Sequence, residues 1–210
     1  MKTLWKSMLS GLRSGSGDIG PWKLNEWRTH DEPIVMCESG FHASVRAIDA
    51  MRFLNCEVLA LVEVKGKHRD QDDKQVWESM RVVKAYEWTK PDSVAMAIYC
   101  AELVIGIYEK KKNPNNKRPR QAIVAARAWL ETPTEKNRLA AAAAYAAAYD
   151  KADYAAAAAA YAAASAAYDA AYDSAYDAAY AYAEEAKKGT LEKVEKWIMA
   201  RVTTLKEVKI

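Results

Sequence analysis

The chain reads as an α+β protein. A small, antiparallel, β-rich N-terminal domain with one helix is expected over residues 1–90, and an alanine-rich α-helical hairpin or bundle over 91–210. Three observations predict this. Before Pro91 the apolar residues recur at a period of two, as in Val58, Ala60, Val62 and Val64, and after it at about 3.6. Six of the seven tryptophans and all the prolines precede residue 134, so the composition changes along the chain rather than being spread evenly. Finally, residues 139–186 are nearly all alanine, tyrosine and aspartate with no Gly or Pro, a run that nothing stops from being helical.

Taken in order, KTLWKSM and PWKLNEW read as short strands joined by the loop SGSGDIGP. Glu38-Ser39-Gly40 is a turn into a short extended piece. Residues 44–54 carry Val45, Ile48, Met51 and Leu54 at helical spacing. CEVLALVEVKG (56–66) and SMRVVKAYEWT (79–89) are strands, with the charged HRDQDDK as the loop between them. Thr89 to Ser93 is the hinge, with Asp92 or Ser93 as the N-cap of a helix over 94–112 whose three terminal lysines suit its carbonyl end. Asn113-Pro114 breaks that helix, and Pro119 begins the next, with Ile123, Ala126 and Leu130 as its buried stripe. Gly189 reads as a C-cap, and Leu191, Val194, Ile198 and Val202 mark a last helix returning over the domain junction.

The alanine region divides at Tyr149 to Asp153, its least helical point, which predicts antiparallel helices over 135–150 and 153–187 rather than a single rod of about 70 Å. In the second of these, Tyr154, Tyr161, Tyr168, Tyr172 and Tyr176 fall within about 40° of one line. Asp169, Asp173 and Asp177 flank that stripe. A tyrosine offers a large apolar area, a hydroxyl and few torsions to freeze, so Tyr168, Tyr172, Tyr176 and Tyr180 with the three aspartates are the primary candidates for a binding surface. The same row could instead fill the core of the helical half.

A net charge of +3 is too mild to point to nucleic acid. Three cysteines, Cys37, Cys56 and Cys100, without close pairing suggest a reducing cytosol, and tyrosine and aspartate interrupt the alanine run too often for a membrane span. Cys37, His42 and Cys56 fit no zinc spacing, and no P-loop, dinucleotide glycine pattern or catalytic triad signature is visible. No catalytic residue, metal or cofactor is therefore expected. Two secondary binding candidates remain. His42, beside Ser44 and with Glu63 on a nearby strand, could belong to a nucleotide pocket, or could simply bond a neighbouring backbone group. Lys117, Arg118 and Arg120, following Lys110 to Lys112, could touch phosphates if they faced one way.

The second half resembles an alanine-rich immunity-protein family, on AIYCAELVIGIYEK, a proline-bearing loop, RPRQAIVAARAWLE and the alanine helices, over about residues 92–187. The first half resembles a small domain of unknown function found joined to it in bacteriophage proteins. The residues that carry this are Cys37, Gly40, Phe41 and His42, Val62 to Gly66, Asp73-Lys74, and Met80-Arg81. Together these imply a phage-encoded accessory protein acting in the host cytosol. The expected function is non-catalytic: binding and inhibiting a host defence component, or sequestering its signal. A toxin-neutralising immunity protein is one alternative, and an ADP-ribosyltransferase-like enzyme, on the Phe41-His42 turn alone, another. The expected partner is a host protein or a small-molecule signal, not nucleic acid or a membrane, and alanine helices could join copies into a homo-oligomer.

Overall fold

A computed structural model describes residues 1–16, 20–53, 56–111, 117–149 and 189–208. The chain forms two compact units, one of residues 1–88 with 198–210 and one of residues 89–197. Strands and helices separate between them as an α+β protein requires.

The first unit is built on an antiparallel five-stranded sheet. Its strands are β1 (Lys2–Met8), β2 (Arg28–Thr29), β3 (Phe41–Ala43), β4 (Val58–Asp70) and β5 (Gln75–Glu87). The order is β1-β4-β5-β2, with β3 also paired to β5. Trp5 and Ser44 exchange both backbone hydrogen bonds at 2.8 Å, so the chain just after β3 also meets β1 and the sheet curls back toward closure. Alternation puts Leu4, Met8, Val58, Ala60, Val62, Val64, Met80, Val82 and Ala85 in one buried cluster, sealed by Trp22, Phe41 and Trp77. Each such Leu, Val or Met contributes roughly 1.5–3 kcal/mol by leaving water. Trp22 meets Phe41 edge-on at 5.2 Å and gives its indole N–H to Ser14 Oγ at 3.0 Å, so its polar end is satisfied inside the core.

Several expectations are corrected here. PWKLNEW is not a strand: Leu24 makes a lone bridge to Val82, and pairing resumes only at β2. The helix expected over 44–54 shrinks to α1 (Ala47–Ala50) and a 3₁₀ turn (Met51–Phe53), because the Ser44 backbone is committed to Trp5 and Val45 is left exposed. The charged loop after β4 is only a tight turn, closed by Gln71 N–H to the Lys74 carbonyl at 2.8 Å, since β4 continues beyond Gly66 through a bulge. Gly66 has φ +87°, a left-handed backbone that favours glycine at this bulge.

In the second unit, α2 (Lys90–Lys111), α3 (Arg118–Glu131) and α4 (Glu135–Tyr149) follow one another, and α3 packs against both neighbours. α2 starts earlier than expected. Thr89 takes the cap position, and Asp92, three residues on, accepts both the Thr89 N–H at 2.8 Å and its hydroxyl at 2.5 Å. The buried side chains described here mix alanines, Ala97, Ala101, Ala122, Ala126 and Ala141, with the larger Met96, Ile98, Ile105, Ile123 and Trp129. Leu130, expected inside, is half-buried. Asn137 closes the α3–α4 corner, donating its amide to the carbonyls of Ala128 at 3.1 Å and Thr132 at 2.8 Å.

Helix α5 is described over Gly189–Val202; Gly189, expected as a C-cap, lies in helical conformation. The helix buries Val194, Ile198 and Val202 as its period predicts, and Trp197 stacks on Tyr99 at 5.7 Å. After Val202 the chain turns and becomes extended, pairing Glu207 with Tyr86. That pairing explains why residues 198–210 group with the sheet. The turn at 149–153 and the helix expected over 153–187 lie outside the described residues.

No helix among the described residues is long and apolar enough to cross a membrane.

Candidate functional site

His42 lies in β3, in register with Val76 of β5. The turn before it is tightly specified. Val35 N–H reaches both the Ser39 carbonyl and its hydroxyl, and that hydroxyl donates to the Pro33 carbonyl at 2.7 Å. Gly40 has φ +99°, with the place of a Cβ only 2.7 Å from Val76 Cγ2, and Cys37 has φ 67° despite its side chain. His42 Nε2 accepts the Cys37 N–H at 3.0 Å, which anchors that strained residue. The His42 pKa is lowered to about 4, by burial first and then by the Lys6 and Lys74 cations. A neutral ring whose lone pair is held by a backbone amide locks a turn. It is poorly suited to acid–base chemistry at neutral pH.

The residues that sequence reasoning placed with His42 do not join it. Glu63 pairs across β4 and β5 with Arg81, which donates Nε and Nη2 to Oε2 at 2.8 and 2.5 Å, whereas β3 contacts β5 only at Gln75 to Trp77. Ser44 is buried beside β1. Cys56 and Cys100 are buried thiols, the first pushed up by burial and the second to about 12, so both stay protonated. Among the described residues no group of His, Cys, Asp or Glu is placed to hold a metal ion. Asp73 is held by Arg52 at 2.6 Å, and Asp70 sits 3.6 Å from His68.

The cationic candidates fall differently. Lys117 stands at the N-cap of α3 without capping through its side chain, no acidic residue occupies the first turn, and Pro119 is buried in it. From there Lys117, Arg120, Gln121, Val124, Ala125 and Ala128 recur at three and four residues, so they share one side of α3 and line a groove of about 390 Å³. Its floor is valine and alanine, and its cations gather at the end where the helix dipole is already positive. Val124 is 61% exposed. Arg118 is exposed but is not among the lining residues. The structure thus brings Lys117 and Arg120 together with an apolar strip that the sequence reading did not link to them. The signal was available in the spacing of Lys117, Gln121, Val124 and Ala128. Tyr168, Tyr172, Tyr176, Tyr180, Asp169, Asp173 and Asp177 lie outside the described residues.

A cation–aromatic cluster that the sequence reading also missed sits on the sheet. Lys65 Nζ lies 4.2 Å and Arg81 Cζ 5.0 Å from the Trp27 ring. With Arg81 bonded to Glu63, the cluster reads as a packed surface in which one of its two cations is offset.

No curated protein and no solved structure matches the chain. Residues 3–91 match a family model described as a Domain of unknown function (DUF7666), a span that takes in nearly the whole sheet and the His42 turn and stops as α2 begins.

Proposed function

We propose that the chain is a non-catalytic, phage-encoded binding protein of the host cytosol that captures and inhibits a host defence component or sequesters its signal. The observation that carries this reading is the groove on α3, where an apolar strip of Val124, Ala125 and Ala128 runs to the cations Lys117 and Arg120. Such a strip suits the apolar face of a partner helix, and cations at one end select a partner segment that carries acidic residues there. The state of His42 and of the two buried cysteines agrees with a role in contact rather than chemistry. The sequence resemblances of both halves support the phage setting. The reading is tested by co-purification from host lysate, comparing the unaltered chain with a Lys117→Glu/Arg120→Glu/Val124→Asp variant. Partners retained by the first and lost by the second support it. Equal recovery from both, or none from either, counts against it.

A further inference from the structure

The second candidate site lies in the sheet unit and is independent of α3. On β1 the residues Leu4, Lys6 and Met8 alternate onto one side, and Leu4 and Met8 are fully buried. Lys6 is therefore a cation at an inward-facing position. Its Nζ donates to the His42 carbonyl at 3.0 Å, and among the described residues that oxygen is its only acceptor, with no carboxylate within 4.0 Å. One neutral carbonyl returns little of what an ammonium loses on leaving water.

Lys2 shares this side of β1, and its Nζ donates to Gln75 Oε1 at 3.0 Å, an oxygen that also takes the Trp77 indole N–H at 3.2 Å. His42 pairs with Val76 and Ala43 with Gln75, so the two amines reach adjacent rungs of the β3–β5 ladder. Lys74 immediately precedes those rungs, and it and Lys6 both press on His42 electrostatically. The nearest carboxylates by register are Asp70, 3.6 Å from His68, and Asp73, which meets Arg52 through Oδ2 while its Oδ1 is buried without a hydrogen bond. Burial lowers Lys6 to about 8, which still leaves it charged at neutral pH.

We propose that Lys6, with Lys2, forms a seat for a small phosphate-type oxyanion where β1, β3 and β5 meet. Ammonium groups recognise phosphate as compact point charges, and Gln75, with its oxygen engaged twice, presents its amide N–H₂ as a further donor. The bound anion supplies the counter-charge that Lys6 lacks.

The test is a side-chain NMR titration of Lys6 in the full-length chain with and without pyrophosphate, beside calorimetry with pyrophosphate and with ADP. Pyrophosphate moves the Lys6 midpoint from about 8 toward its ordinary 10.5, and Lys6→Met, which keeps the apolar stem, weakens binding by about tenfold or more. Equal affinity for both probes makes the phosphate group the whole ligand, and tighter ADP binding makes it a nucleotide; either result upholds the site. If Lys6→Met does not fold, Lys2→Met, at an exposed position, carries the test with about a threefold loss. An unmoved Lys6 titration, or binding unchanged by the substitution, overturns the proposal.

Discussion

Among the described residues, alanine takes a larger share of the buried side chains in α2, α3 and α4 than in the sheet unit. The sheet unit buries Trp22, Trp88, Leu4, Met8 and Met80 around paired strands, whereas the helical unit buries alanines at Ala97, Ala101, Ala122, Ala126 and Ala141. Large side chains on a sheet make stability a matter of filled volume. Alanines between helices make it a matter of close approach, which any added carbon disturbs. The same contrast extends to the surfaces: the sheet unit ties polar groups into turns and bulges, while α3 lines a groove with Val124, Ala125 and Ala128 beside Lys117 and Arg120.

Opposite substitutions should therefore break the two units. Trp22→Ala empties the sheet core and is expected to cost about 3–5 kcal/mol in a denaturant titration. Ala126→Leu, an enlargement, should cost the helical unit about 1–3 kcal/mol, and a neutral or stabilising result would mean the helices are not closely apposed there.

An effect of similar size to that of Ala126→Leu is expected at the turn before β3. Gly40→Ala places a methyl against Val76 at a positive φ and should lower stability by about 1–3 kcal/mol, read as a fall in melting temperature. His42 gives the pH counterpart. Its folded pKa, about 4, lies below the ordinary 6.5, so the unfolded chain binds the proton more readily. Stability is then full above pH 6.5 and falls as the pH drops toward 4, by on the order of 1–2 kcal/mol once solvent screening is counted. Melting curves of a His42→Gln variant should lose that slope. At the bottom of the scale, Val124→Asp should change stability by no more than about 0.5 kcal/mol, since the side chain is already in water.

Strand period and helix period made the architecture legible in the sequence. β1 coincides with KTLWKSM, and the buried positions of α5 follow their spacing. Two of the misreadings depend on a strand partner distant in sequence, and the third on a side chain three residues on. Ser44 cannot join a helix because Trp5 holds its backbone, residues 67–70 cannot be a loop because a bulge lets β4 keep pairing, and Thr89 becomes a cap only through Asp92. Lys6 was readable in principle as a cation between two inward residues, but its lack of a carboxylate is a property of three strands assembled. Lys117 and Arg120 read as a charge cluster, and only helix geometry joined them to Val124.

The central claim is that α3 makes the functional contact while the His42 turn is a scaffold. Quantitative capture of a host partner by three chains tests it most directly: the unaltered protein, Lys117→Glu/Arg120→Glu, and His42→Gln, each first shown to be folded. The account predicts capture by the first and third and loss of about tenfold or more in the second. Capture that survives the charge reversal on α3 but vanishes with His42→Gln would contradict it.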